Sequence, residues 1–243
     1  MLAARIPRAP GSRSATLAAN AMGYWTYYLG MMLLTYGLHQ PWMLAGVAVF
    51  FVFRRFIPDP VVLARTWGRI RALDSQIAAN PSNVTARRDL AVIWLERLRP
   101  GRALELLDEA RLRHPDDPEL LYLTGVARLR SGDAEGAIAP LVQAVDIDAR
   151  VRYGEPYLVA AEALTKLGKL EEAEDALERY TSANSSSVQG FVRLADVRER
   201  RGDKAGAKKA IGDALDTWKQ IPRYRRRSEL GWWLRALWRR LAG

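Results

Sequence analysis

Small residues return in this chain at intervals close to 34, and that spacing narrows the possible folds more than any other property of the sequence. Four units begin at Val84, Pro118, Gly154 and Val188, separated by 34, 36 and 34 residues. Position 8 of each unit is small (Ala91, Gly125, Ala161, Ala195), and so is position 20 (Ala103, Ala137, Ala173, Ala207). Apolar residues on either side recur at helical rather than strand periodicity. Breaks fall at Arg99-Pro100-Gly101, Ser131-Gly132-Asp133, Leu167-Gly168-Lys169 and Arg201-Gly202-Asp203. Each unit therefore reads as two amphipathic helices whose backbones approach closely at the small positions. One such pair cannot bury its apolar face alone, so several must stack.

The remaining positions carry a resemblance. Bulky residues stand at position 4 in three units (Leu121, Tyr157, Phe191) and at position 24 in all four (Leu107, Leu141, Leu177, Ile211). Alanine recurs at position 27 (Ala110, Ala144, Ala214), and Pro115 stands at position 32 of the first unit. From Val84 to Ile221 the chain resembles the tetratricopeptide repeat. The resemblance implies an all-α fold, a right-handed α-solenoid of about four repeats. Several positions depart from the family pattern: Arg87 at position 4, Arg128 and Arg198 at position 11, and Tyr180 at position 27. These departures are expected to loosen individual interfaces. The amphipathic stretch Asp59–Asn80, with Leu63, Trp67, Ile70, Leu73 and Ile77, is expected to cap the first repeat and join it to what precedes it.

The resemblance also implies a concave face lined by the first helix of each pair. Here that face draws on Arg88, Val92 and Leu95, then Tyr122, Val126 and Leu129, then Leu158, Glu162 and Thr165, then Val192, Asp196 and Glu199. Its first half reads as apolar and its second half as acidic. The implied partner is a protein segment, an amphipathic helix or an extended peptide. Chaperone-binding members of the family hold a C-terminal carboxylate with Lys and Asn at two of these positions. Arg88 and Val92 stand there instead, so that clamp is not expected. In the competing reading, a helix of the chain itself fills the groove.

Charge is distributed unevenly. Residues 1–76 carry eight arginines against Asp59 and Asp74, and residues 223–243 carry seven against Glu229, while the repeats between are nearly neutral. Between Met22 and Phe53 there is no charged residue, a run too long for an ordinary core helix. His39-Gln40-Pro41 divides it, and arginines flank it at both ends, including Arg54 and Arg55. Because positive flanks stay on the cytoplasmic side, a transmembrane helical hairpin is favoured over one kinked span. The expected location is a bacterial inner membrane with the repeats cytoplasmic. Residues 1–21 are rich in Arg, Ala and Ser and lack acids, which also suits a mitochondrial presequence.

The last segment, from Arg223, reads as a basic helix with Ser228 as its N-cap and Leu230, Trp233, Leu234, Leu237 and Leu241 on one stripe. Trp232, Trp233 and Trp238 beside the arginines suit a membrane interface, but a cap over the last repeat is favoured over that reading.

Five segments result: a basic start (1–21), an anchor (22–56), a connecting helix (57–80), the repeats (81–222) and the C-terminal helix (223–243). The chain has no cysteine and only two histidines, and no phosphate-binding loop, metal motif or nucleophile elbow is present. The expectation is a non-enzymatic scaffold that needs no cofactor and binds a protein partner at a membrane. The alternative is an adaptor that contacts lipid or nucleic acid through its basic C-terminal helix.

Overall fold

The computed structural model describes residues 60–242, together with Met31 and Thr35, which are helical. The chain divides into two units, 1–58 and 59–243. The expected hairpin, with Arg54 and Arg55, lies outside the described residues. Among the described residues no helix is long and apolar enough to cross a membrane.

Ten α-helices make up the second unit as described, with no strand among the described residues. Helix α1 (Pro60–Ala79) precedes four antiparallel pairs. These are α2 (Val84–Glu96) with α3 (Pro100–Arg111), α4 (Pro118–Ser131) with α5 (Ala134–Ile147), α6 (Glu155–Lys166) with α7 (Leu170–Ala183), and α8 (Val188–Arg200) with α9 (Lys204–Gln220). Helix α10 (Arg223–Ala242) closes the array. Ala103, Ala137, Ala161 and Ala195 are buried between paired helices, as their spacing requires. At Gly125 the approach leaves no room for a side chain: a Cβ there would lie 2.4 Å from Leu141 Cγ. One apolar cluster spans the first two repeats and reaches Ala160 and Ala163, and a second joins repeats three and four to α10.

Local chemistry sets the helix ends. Asn83, Asp117, Asp133, Ser187 and Asp203 each accept amide hydrogen bonds from the first turn of the helix that follows. The turn inside each pair closes the same way four times. In the second repeat the Asp133 amide donates to the Arg128 carbonyl, and Gly132 sits between them at φ +97°. Gly168 and Gly202 occupy the matching places with positive φ, but the first repeat has Leu98 there, at φ +58°. The first turn is thus centred on Leu98 rather than on Pro100-Gly101. Those two residues belong to α3, where proline suits the opening turn.

The departures from the repeat pattern tie neighbours together instead of loosening them. Arg128 at position 11 donates to the Gly136 carbonyl at position 19 of its own repeat (3.0 Å), and Arg198 repeats that bond to Gly206 (3.4 Å). Arg198 also reaches back to Glu174 (2.8 Å) and Glu178 (2.5 Å) on α7. Arg87 is buried, with hydrogen bonds to Glu109 (2.8 Å) and the Pro81 carbonyl. Tyr180 fills the space left by Gly190, where a Cβ would come within 2.7 Å of its ring. A missing side chain on α8 thus accommodates an oversized one on α7.

The amphipathic stretch before the repeats is helical, and Leu73, Ile70 and Ile77 pack on Leu90 and Ile93 of α2. Trp67 departs from the expected apolar stripe. It is exposed, with Arg71 and Arg97 over its ring at 5.5 and 5.9 Å.

Candidate interaction surfaces

The inner face is built from α2, α4, α6 and α8, and its floor is more closed than the sequence pattern implies. Leu95, Tyr122, Val126, Leu129 and Leu158 are all buried, and Val92 is half-buried. The first four belong to the core of repeats one and two, because neighbouring helix pairs crowd these positions. What remains accessible around them is charged. Arg88 donates to Glu119 (3.3 Å) and Asp89 (3.2 Å), which links α2 to α4.

The two additional residues between the second and third repeats supply the next link. Val151–Gly154 forms a 3-10 turn in which Arg152 and Tyr153 both take left-handed backbone angles. This turn brings the Arg152 guanidinium over the Tyr122 ring at 5.0 Å, within reach of Glu119 (3.3 Å) and Glu155 (2.9 Å). The Tyr122 hydroxyl donates to Glu155 (2.9 Å). Burial first, and the Glu155 carboxylate second, push the Tyr122 hydroxyl well above the ordinary tyrosine range, so it remains a donor. Arg88, Glu119, Arg152, Glu155 and Tyr122 form one continuous polar network along this edge of the face. The 36-residue spacing marks the insertion in the sequence, but nothing in the sequence reveals that Arg152 turns inward.

The second half of the face is partly occupied by the chain itself. Helix α10 packs on α8 and α9, and Arg239 pairs with both Asp196 and Glu199 while Arg235 reaches Asp196 at 2.9 Å. Asp196 is desolvated there, and burial raises its pKa despite the two arginines. Glu162 accepts from Arg193 (2.8 Å), and Arg193 in turn lies 5.6 Å over the Trp232 ring. Burial alone would raise the Glu162 pKa, but Arg193 and Lys166 outweigh it and leave the carboxyl lowered. A cleft of about 210 Å³ remains between α6 and α8, lined by Glu162, Thr165, Lys166, Arg193, Asp196 and Arg200 among others.

Helix α10 begins five residues before Ser228, whose hydroxyl bonds back to the Arg225 carbonyl inside the helix. The single apolar stripe expected from the sequence is divided between two faces. Trp232 and Trp233 are half-buried against the last repeat, and Trp233 stacks on Trp218 at 5.0 Å. Trp238 points outward. Glu229 is buried and accepts the Gln189 amide hydrogen bond (3.1 Å), and burial raises its pKa.

A second, larger cleft of about 510 Å³ opens between α5, α6 and α7, away from the inner face. Ile138, Val142, Val145 and Tyr157 give it an apolar wall, and Glu171, Glu172 and Asp175 give it an acidic rim. Each of these three carboxylates pairs with a Lys or Arg: Arg201, Lys169 and Arg179 respectively.

Stacked helix pairs with a charged inner face, closed at both ends by single helices, define a helical-repeat interaction protein. The model of the family described as Tetratricopeptide repeat matches residues 95–150 and 158–226, more than half of the chain. The chain belongs to the tetratricopeptide-repeat family. Solved structures agree on the fold. MamA superposes with a TM-score of 0.58 at 22% identity, over 62% of this chain and 87% of MamA. YrrB, described as a tetratricopeptide-repeat protein with an unusual peptide-binding site, gives 0.54 at 15% identity, over 64% of this chain and 79% of YrrB. PilF of Pseudomonas aeruginosa gives 0.57 at 16%, over 65% and 73%. At these identities the likeness establishes the fold alone. No curated protein matches the sequence. Proteins of this family generally mediate protein–protein interactions, some through bound peptides, and the fold is typically a non-enzymatic scaffold.

Proposed function

We propose that this chain is a membrane-anchored scaffold that recruits or assembles a protein complex through the concave face of its repeats. The observation that carries the reading is the polar network along that face. Arg88, Glu119, Arg152, Glu155 and Glu162 present charged groups above an apolar floor of Val92, Tyr122, Val126 and Leu158. An extended peptide or amphipathic helix lying across them would exchange these internal ion pairs for its own. Recognition then rests on matched charge at the edge of the face more than on a deep apolar groove. Asp196 and Glu199 already pair with Arg235 and Arg239 of α10, so a partner binding these carboxylates competes with that helix.

The uncharged run Met22–Phe53 and its flanking arginines, Arg54 and Arg55 among them, support the anchor, as a hairpin in a bacterial inner membrane with the repeats cytoplasmic. A mitochondrial membrane is the alternative location. The test is crosslinking and capture of the full-length chain from its native membrane, beside an Arg88→Ala/Glu162→Ala variant. Both residues are partly exposed, so the variant keeps the core intact. A specific partner lost in the variant supports the concave face. Partners captured equally by both chains move binding elsewhere.

A further inference from the structure

Helix α10 carries a second apolar face that the solenoid does not use. Its inner side, with Trp232, Trp233 and Ala236, covers α8 and α9. On its outer side Leu230, Leu234, Trp238 and Leu241 recur at i, i+4, i+8 and i+11, with 44, 51, 72 and 77% of their surfaces exposed. A helix that served only as a cap would need one apolar face, and its outer side would be polar. Charge on this outer side is all of one sign. Arg223 and Arg227 continue the stripe toward the N-terminus, whereas Arg240 lies on the inner side, where it lines a cleft against α9 and joins Lys219 in lowering the Asp216 pKa. Arg223 and Arg227 are both exposed, and neither side chain makes a hydrogen bond or ion pair among the described residues. The helix's sole acid, Glu229, is buried on the opposite side against the Gln189 amide.

We propose that the outer face of α10 docks on an anionic lipid surface. The helix lies in the plane of the interface with Leu230, Leu234, Trp238 and Leu241 in the boundary between headgroups and chains. Arg223 and Arg227 meet lipid phosphates, for which an acid-free cationic face is the complement. The inner face meanwhile holds the helix on the last repeat through Trp233 stacked on Trp218 and Arg239 on Asp196. Docking fixes the C-terminal end of the solenoid against the bilayer and adds a contact separate from the proposed anchor.

The chain contains no cysteine, so Leu234→Cys provides a single attachment point for a polarity-sensitive fluorophore, and Glu172→Cys on α7 provides a control. The full-length labelled chain is reconstituted into vesicles of phosphatidylcholine alone or with phosphatidylglycerol added. The expected result is a blue shift, with quenching by brominated lipid, at position 234 in the anionic vesicles and not at position 172. The combined Arg223→Gln and Arg227→Gln variant is expected to lower the docking equilibrium about twenty- to thirtyfold, about fivefold per arginine. If the chain sediments with anionic vesicles while position 234 stays water-exposed, this proposal fails and the anchor reading stands. If the chain does not associate with vesicles of either kind, both fail. A shift in detergent that grows with protein concentration would assign the stripe to a second copy of the chain. A shift on adding nucleic acid without lipid would assign it to that ligand. Either result overturns the proposal.

Discussion

Gly190 at the start of α8 and Tyr180 near the end of α7 form a matched pair, and replacing the glycine with alanine tests that relation. The new Cβ would lie 2.7 and 2.8 Å from Tyr180 Cε1 and Cδ1 and 3.1 Å from Thr181 Cγ2. Comfortable carbon contacts are about 3.5–4.0 Å. Tyr180 is only 4% exposed, and its hydroxyl is tied to Ser187 (3.1 Å) and Asn184 (3.3 Å), so the ring has nowhere to swing. Overpacking of this kind costs about 1–3 kcal/mol. The helical preference of alanine over glycine returns less than about 1 kcal/mol, because the site is in the first turn. The net loss for Gly190→Ala is then about 1–2 kcal/mol. At about 2–4 °C per kcal/mol, that is a fall of several degrees in Tm.

The decisive comparison is the same change in a Tyr180→Ala chain, which restores the small residue found at position 27 of the other repeats. Tyr180→Ala alone should cost about 3–5 kcal/mol through the cavity it leaves. In that background Gly190→Ala should be neutral or stabilising, a coupling of about 1–3 kcal/mol. Urea titrations of all four chains, followed by circular dichroism, measure it. An equal loss from Gly190→Ala in both backgrounds would refute the idea that the two positions compensate each other.

Other consequences follow from single contacts. Leu98→Gly should stabilise the chain by about 0.5–1 kcal/mol, because Leu98 is exposed and holds a left-handed backbone that costs a side-chain-bearing residue about 1–2 kcal/mol; thermal melts check it, and a lower Tm would contradict it. Arg198→Ala should cost about 2 kcal/mol by removing its bonds to Glu174, Glu178 and the Gly206 carbonyl together, read from the urea midpoint. Burial alone would raise the Glu174 pKa, but hydrogen bonds from Arg198 and Arg201 outweigh it and leave it lowered. The stability it contributes is therefore present above the ordinary glutamate range and lost as pH falls through the lowered value. Glu174→Gln should flatten that acid-side slope, and an unchanged slope would show that the pair does not titrate this way. Trp233→Ala should cost about 2–3 kcal/mol through lost burial and lost stacking on Trp218, with α10 the first element to lose hydrogen-exchange protection.

The repeat architecture was legible because backbone approach leaves a mark in composition. Only small residues fit at Ala103, Ala137, Gly125 or Ala161, and their period survives substitutions elsewhere. The site was less legible. Positions 5, 9 and 12 locate the inner face, but how far each side chain stays exposed depends on how tightly neighbouring pairs close. That closure buried Leu95, Val126 and Leu129. The reach of Arg152 over Tyr122 depends on a turn with left-handed angles at two residues that carry side chains, which no residue preference signals. Helix α10 shows the limit of periodicity most clearly. Its apolar residues cover two opposed faces, and which of them pack on the last repeat emerges only from the docking of Trp233 on Trp218 and Arg239 on Asp196.

The central claim is that the concave face receives a protein partner, and site-specific photo-crosslinking in the native membrane tests it most directly. A photoreactive residue is placed in the full-length chain at Val92 or Thr165 on the inner face, and at Val142 or Glu172 at the outer cleft. Discrete adducts from Val92 and Thr165, absent from Val142 and Glu172 and weakened by Arg88→Ala/Glu162→Ala, are the predicted result. Adducts confined to Val142 and Glu172 would contradict the account and assign binding to the cleft between α5 and α7.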